Sequence, residues 1–168
     1  MASDQPALAG LKVVDATSTA AGQFCGRLFA DYGADVILVE RPAGAATRLE
    51  GPFDDEGSLL FRHLNQGKVG FTWDRGDAGE LDRLVGEADI VVVDAGDPIA
   101  ARAEGKIVCR VSDFGEHGPY RRWRGAEIVH QALSGVMFTT GDQSREPLYG
   151  VGRRTAYTPA RGKSLPCR

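Results

Sequence analysis

The stretch LKVVDATSTAAGQFCGRLFADYGADVILVER, residues 11–41, constrains the fold most. Its first apolar run, which begins at Val13, predicts a buried strand. After a polar segment, apolar residues recur at helical spacing up to Tyr32. Gly33 then suits the left-handed position that follows a helix. The second apolar run, residues 35–40, predicts a strand that is covered on both faces. The stretch therefore predicts a βαβ unit.

The start of this helix combines hydroxyl side chains with few glycines. Thr17, Ser18 or Thr19 can cap the helix, because each side-chain oxygen can accept an unpaired backbone N–H. A helix that begins after a strand is also a candidate anion site. Its first turns carry only Gly22 and Gly26. Neither the dinucleotide-binding fingerprint nor a Walker A loop is therefore present.

Glu40 ends the second predicted strand, where dinucleotide-binding folds place an acid that binds ribose. Without the glycines, we favour two other interpretations of this residue. In one it is a strand-end carboxylate paired with Arg41, and in the other it lies in a solvated loop. NAD or FAD binding is accordingly disfavoured.

The rest of the chain alternates strands and helices. Residues 42–57 read as a long loop, rich in Gly, Ala, Pro and charge. The alternation predicts an α/β fold, a parallel sheet with helices on both faces. The predicted strands cover residues 69–73, 89–94 and 106–111, and the predicted helices cover residues 58–64, 77–86, 98–104 and 128–136.

The charge distribution argues against nucleic-acid binding. The formal net charge is −3, and residues 142–168 hold six basic and two acidic residues, so the body of the chain is acidic. The basic end is either an interaction arm or a solvated end, and we favour the second interpretation. The sequence shows no signal peptide and no long apolar run. We therefore expect a cytoplasmic protein that does not bind membranes.

The three cysteines have no spacing typical of a metal site or a disulfide framework. Cys25 lies on the apolar helix face and Cys109 in an apolar strand, so both are predicted to be small core residues. Cys167 lies near the end of the chain. We expect no metal site.

Several segments, taken in order, resemble the class III CoA-transferase (CaiB/BaiF) family. The resemblance extends from Gly10 to Gly152. Its more specific pieces are FGEHGPY, which begins at Phe114, and QALSGVMFTTG, which begins at Gln131. The other pieces are GLKVVD, GRLFADYGADVILVERP, SLLFRHLNQGK, EADIVVVD and EPLYGVG.

The resemblance implies an enzyme that moves coenzyme A between an acyl-CoA and a free carboxylic acid. CoA is then a substrate, and no cofactor is bound covalently. The family's large domain is Rossmann-like, and two chains interlock as a dimer. An aspartate carboxylate attacks the thioester carbonyl, which divides a difficult transfer into easier steps. Backbone amides of a glycine loop can stabilise the oxyanion that develops.

The resemblance also implies which residues line the CoA site. Arginines there suit the CoA phosphates, because a guanidinium is a planar bidentate donor. Arg102 could instead be a solvated helix residue, and Trp73 a core aromatic residue. The implied CoA-binding residues are Ser18, Thr19, Ala20, Arg41, Trp73, Asp94, Ala95, Arg102, Ser112, Asp113 and Phe114.

The chain departs from the family at the nucleophile. The position of the catalytic aspartate falls near Tyr157, and no carboxylate follows Glu146. A tyrosine cannot form the mixed anhydride, and its pKa near ~10 makes it a poor nucleophile at neutral pH. Racemase relatives use a histidine that matches Ala126, so that branch is disfavoured. His117 and His130 are interpreted as structural residues.

Family members are more than twice as long as this chain. We therefore expect an apparently truncated large domain, either a truncated or frameshifted product or a split subunit completed by a second chain. Alone, it should be inactive and poorly soluble. The alternative is a non-catalytic CoA- or nucleotide-binding module or a regulatory subunit. The expected parts are a loose N-terminus (1–9), the N-terminal part of the large domain (10–152) and a divergent basic tail (153–168).

Overall fold

The computed structural model describes residues 5–74, 78–142 and 144–150. They divide into two compact units, the first ending at Val111 and the second beginning at Ser112. In chain order the first unit consists of β1 (Lys12–Ala16), α1 (Ala20–Asp31), β2 (Asp35–Glu40), a 3₁₀ helix (Ala46–Leu49), β3 (Phe53–Asp54), β4 (Gly57–Ser58), α2 (Leu59–Asn65), β5 (Val69–Thr72), α3 (Ala78–Glu87), β6 (Ile90–Asp94), a second 3₁₀ helix (Pro98–Arg102) and β7 (Ile107–Val111). The second unit contains α4 (Glu127–Leu133).

The central sheet confirms the predicted α/β fold. Its five strands are in the order β5-β2-β1-β6-β7. Every neighbouring pair is parallel. The chain leaves β1 toward one edge through β2 and β5, and returns to the other side of β1 through β6 and β7. The direction of winding therefore reverses between β1 and β6, which is where open α/β sheets bind ligands.

Helices cover both faces of the sheet. Successive strand residues point to opposite sides, so each strand contributes apolar side chains to both faces. Val13 packs under α1 in a cluster with Val36 and Val92. Val14, the next residue, packs on the other face with Leu81 of α3. The two apolar clusters explain why the strands read as continuous apolar runs.

The details of three predicted elements are wrong. Residues 42–57 are not only a loop, since they include a 3₁₀ helix and the first strand of the antiparallel β3–β4 pair. The short helix predicted over residues 98–104 is present as a 3₁₀ helix, but it ends at Arg102, because Gly105 (φ +75°) already turns the chain toward β7. The last helix ends at Leu133, since Gly135 adopts a left-handed φ of +79°.

Candidate functional site

The carboxyl ends of β1 and β6 meet where the winding of the sheet reverses. Asp94, the last residue of β6, holds the turn that joins β1 to α1. Its Oδ2 accepts hydrogen bonds from the N–H and the hydroxyl of Ser18, both at 2.8 Å. Its Oδ1 accepts one from the Thr19 hydroxyl at 2.8 Å. The fold thus brings Asp94 to two neighbouring residues, Ser18 and Thr19, that precede it by 76 and 75 residues.

Thr19 is the residue that caps α1. Its hydroxyl oxygen accepts a hydrogen bond from the Gly22 N–H at 3.3 Å, while its O–H group donates the hydrogen bond to Asp94. The candidate anion site at the start of this helix is therefore approached by a carboxylate of the chain itself. That carboxylate complements the positive end of the helix dipole.

Two alanines that the resemblance assigns to the CoA site lie beside this carboxylate. Ala20 is the first residue of α1 and Ala95 directly follows Asp94. The Ala95 N–H donates to the Val111 carbonyl at 2.8 Å, which joins the turn after β6 to the end of β7. The reversal point, where open α/β sheets form a crevice at the carboxyl ends of their strands, is therefore tied to three strands.

Arg41 and Arg102 both lie over the ring of Trp73. The Cζ atoms are 5.0 and 5.9 Å from the centre of the ring, within the range of cation–π attraction. Arg41 also donates to Asp97 Oδ2 at 3.2 Å, and Arg102 pairs with Asp82. The interpretation of Trp73 as a core aromatic residue is confirmed, since it is 5% exposed and belongs to the core, and its place in a CoA site stays a prediction.

Glu40 is paired, but not with Arg41. Its carboxylate accepts two hydrogen bonds from Arg48, at 2.8 and 2.6 Å, and one from the Ala45 N–H at 3.0 Å. The Arg48 hydrogen bonds hold the pKa of Glu40 below its ordinary value, although burial opposes them. Arg41 points elsewhere, to Asp97. Of the two favoured interpretations, the solvated loop is wrong and so is the Arg41 partner.

A buried ion pair that the sequence analysis missed lies beneath α1. Lys68 Nζ donates to Asp15 Oδ2 at 2.7 Å, to the Gln23 carbonyl at 2.7 Å and to Asn65 Oδ1 at 2.8 Å. The other Asp15 oxygen accepts from the N–H and the hydroxyl of Thr17, at 3.1 and 2.7 Å. The Lys68 and Asp15 side chains are 1% and 0% exposed. The lone Asp within an apolar strand was the only signal of this pair.

The two glycines of α1 make room for these side chains. A Cβ at Gly22 would lie 2.5 Å from the Thr17 Cβ. A Cβ at Gly26 would collide with the Asp15 carboxylate and lie 3.0 Å from Lys68 Nζ. The glycines therefore serve the contact between α1 and β1 rather than a phosphate.

Burial dominates the protonation of this pair. It raises the pKa of Asp15, although Lys68 and the Thr17 donors oppose the rise. It also lowers the pKa of Lys68, against the attraction of Asp15. Both shifts disfavour the charged forms, so each charge depends on its partner.

The remaining predicted residues belong to the second unit. Ser112 Oγ accepts a hydrogen bond from the backbone N–H three residues later, at 2.8 Å. Asp113 Oδ2 accepts from the Gly125 N–H at 2.9 Å, and its Oδ1 is 3.6 Å from His130 Nε2. The ring of Phe114 packs against His130, with 5.3 Å between the ring centres. These contacts fit the interpretation of His130 as a structural residue.

The structure therefore arranges the predicted residues in three groups. The first surrounds the reversal point, the second lies beyond the ends of β2 and β5, and the third is in the second unit. Tyr157 and the rest of the expected basic tail lie outside the described residues. The groups are Ser18, Thr19, Ala20, Asp94 and Ala95; Arg41, Trp73 and Arg102; and Ser112, Asp113 and Phe114.

Over residues 5–74, 78–142 and 144–150, no three His, Cys, Asp or Glu side chains are grouped so that they could hold a metal ion. In the same ranges no helix has the length and apolar character needed to span a membrane.

Comparison with known proteins relates the whole arrangement to one family. The model of CoA-transferase family III matches residues 8–157. The succinyl-CoA:mesaconate CoA-transferase of Haloarcula hispanica is 33% identical over 84% of this chain and 41% of its own length. The succinate–glutarate CoA-transferase of Agrobacterium fabrum is 31% identical over 88% of this chain and 42% of its own. A CAIB/BAIF family protein from Brucella suis superposes with a TM-score of 0.77, at 32% identity, over 94% of this chain and 49% of that one. The chain thus spans less than half the length of these relatives.

Proposed function

Because this chain belongs to CoA-transferase family III, we propose that it forms the CoA-binding part of an enzyme that moves CoA between an acyl-CoA and a free carboxylic acid. One observation carries the proposal. Two guanidinium groups, those of Arg41 and Arg102, share the ring of Trp73 beyond the carboxyl ends of β2 and β5. Each guanidinium is also paired with an aspartate, and the two lie on the edge of the sheet where α/β folds bind ligands.

The two arginines suit the phosphate groups of CoA. Each guanidinium has five N–H donors, and one aspartate cannot use all of them. Their side chains are 39% and 33% exposed, so part of each fork faces solvent. The aspartates and the indole ring fix the orientation of the guanidiniums before a ligand arrives. We assign the phosphate end of CoA to this pair.

We assign a different part of CoA to the reversal point, where β1 and β6 end. The Asp94 carboxylate would repel a phosphate there, whereas the hydroxyls of Ser18 and Thr19 can still accept hydrogen bonds. We therefore place an uncharged part of CoA along Ser18, Thr19, Ala20 and Ala95. Ser112, Asp113 and Phe114 are proposed to contact the pantetheine arm.

We assign binding, and not the chemical step, to the described residues. The names of the relatives indicate dicarboxylic acids and their CoA thioesters as substrates, and we propose this substrate class. We also propose a cytoplasmic protein that acts as a homodimer or with a second chain. In its support, Leu133 and Phe138 of the second unit are 66% and 83% exposed, and large exposed apolar side chains favour association.

The binding assignment can be tested by calorimetry with CoA and with pantetheine, which has no phosphate. The double variant Arg41→Ala/Arg102→Ala should bind CoA at least about tenfold more weakly, since a hydrogen bond to a charged group contributes about 1.5–3 kcal/mol. Its affinity for pantetheine should not change. Circular dichroism checks that the variant is folded.

Arg83→Ala is the matched control. Arg83 also binds two carboxylates, those of Glu80 and Glu87. It lines a cleft of about 240 Å³ with Lys12 and Asp35, the first residues of β1 and β2, so it lies at the opposite edge of the sheet. Equal weakening by the control, or equal loss of CoA and pantetheine binding, would refute the assignment. A separate assay of CoA transfer from succinyl-CoA to glutarate tests the enzymatic part, and this chain alone is expected to show no transfer.

A further inference from the structure

Cys25 and Cys109 meet under α1, although the chain separates them by most of the first unit. Cys25 belongs to α1, and Cys109 lies in the middle of β7, paired with Val92 of β6. Both side chains pack against the same buried cluster, which contains Val92. The two thiols are close enough for each to shift the pKa of the other. Both residues are half-buried and neither is in a disulfide, so a small oxidant can reach them.

The interaction between the thiols gives the two sulfurs different roles. The interaction with Cys25 lowers the pKa of Cys109 to about 7, although burial and Asp15 oppose it. The interaction with Cys109, together with burial, raises the pKa of Cys25. Since the thiolate is the nucleophile in sulfur oxidation, Cys109 is the sulfur that reacts first and Cys25 the one that resolves.

We propose that Cys25 and Cys109 are a redox-sensitive pair that hydrogen peroxide, a two-electron oxidant, converts into a disulfide between α1 and β7. In the first step the Cys109 thiolate attacks one peroxide oxygen. The O–O bond breaks, hydroxide leaves, and Cys109 becomes a sulfenic acid. In the second step the Cys25 sulfur attacks that sulfenic sulfur. The S–O bond breaks, water leaves with the Cys25 proton, and the S–S bond forms.

The disulfide would act on the crevice described above. α1 begins at the cap residue Thr19, which binds Asp94 at the end of β6, and β7 is the neighbour of β6. A covalent link between α1 and β7 therefore restrains both sides of that hydrogen bond. Because the closed loop is long, the link should also raise the melting temperature.

The test uses the Cys167→Ser variant, in which these two cysteines are the only thiols. The folded protein is treated with hydrogen peroxide, alkylated with iodoacetamide and digested with trypsin without reduction. The chemistry predicts that mass spectrometry finds residues 13–27 joined to residues 107–110. The intact mass falls by two hydrogen atoms, and the melting temperature rises until dithiothreitol is added.

Two controls make the outcome decisive. Further replacement of Cys25 or Cys109 by serine should abolish both the linked peptide and the rise in melting temperature. The same treatment in concentrated urea should give much less of the link, because only the fold brings the sulfurs together. A link that forms equally well in urea would overturn the proposal. So would sulfinic acid at Cys109 without any link, or a disulfide between two molecules as the main product.

Discussion

Removal of the Lys68 ammonium should strongly destabilise the first unit. Lys68→Met keeps much of the apolar length of the side chain but removes three hydrogen bonds and the counter-charge of Asp15. The carboxylate that remains is 0% exposed, so water cannot replace the ammonium. Loss of one partner of a buried ion pair costs about 3–5 kcal/mol, against a total free energy of unfolding of about 5–15 kcal/mol for a domain.

The assay is urea unfolding at pH 7, followed by circular dichroism. With a denaturant slope of about 1–3 kcal/mol per molar urea, the midpoint should fall by about 2 M. Lys106→Met is the control. Lys106 also donates to a carbonyl, that of Gly86 at 2.6 Å, but on the exposed surface, and surface replacements usually change stability by less than about 0.5 kcal/mol.

The pH dependence separates loss of charge from loss of packing. Burial already raises the pKa of Asp15, and without Lys68 it should rise further. A carboxyl whose pKa is raised in the folded state stabilises the fold below its unfolded pKa, and this stability is lost as pH rises through the folded pKa. The loss of stability caused by Lys68→Met should therefore become smaller as the pH is lowered from 8 to 5.

Double replacement tests the coupling directly. In Asp15→Asn/Lys68→Met neither charge remains, so its loss of stability should be smaller than the sum of the two single losses by about 2 kcal/mol or more. A single variant Lys68→Met that loses less than about 1 kcal/mol at every pH would refute the reasoning. Strictly additive losses would refute it as well.

Two further predictions concern α1 and β2. Gly26→Ala should destabilise the fold in thermal melts, because its Cβ would collide with Asp15. Gly79→Ala in α3, where nothing lies within 4 Å, should instead stabilise the fold by about 0.5–1 kcal/mol. The opposite order of stability would contradict the packing described. The Arg48 hydrogen bonds depress the pKa of Glu40, so its contribution is present above the unfolded pKa and lost as pH falls through the folded one. Arg48→Ala should therefore reduce stability at pH 7 more than at pH 3 in urea titrations, and an equal loss at both pH values would contradict this.

The βαβ unit and its cap were predictable because they depend on local order in the chain. The apolar runs of β1 and β2, the hydroxyls before α1 and Gly33 (φ +93°) each act within a few residues. The alternation of strands and helices sufficed for the parallel sheet. The resemblance then implied which strand ends carry the candidate site, since it assigned both Ser18, which follows GLKVVD, and Asp94, which ends EADIVVVD, to CoA binding.

The ion-pair partners of the charged side chains were not predictable, because they depend on the order of the strands and on the direction in which each side chain points. Glu40 and Arg41 are adjacent, but successive residues of a strand point to opposite faces. Glu40 therefore meets Arg48, eight residues later, and Arg41 meets Asp97. Lys68 finds Asp15 across 53 residues because β5 and β1 are both neighbours of β2.

The carboxylate of Asp94 gives the crevice a polarity that strand order alone does not specify. In dinucleotide-binding sheets of this winding, the start of the first helix receives the pyrophosphate. Here a carboxylate of the protein itself, that of Asp94, lies beside the start of the helix. If CoA binds as proposed, two sheets with the same topology hold a nucleotide in opposite directions, with the anionic end either over the first helix or out toward the ends of β2 and β5. In this chain the residue that distinguishes the two orientations is Asp94, at the end of β6.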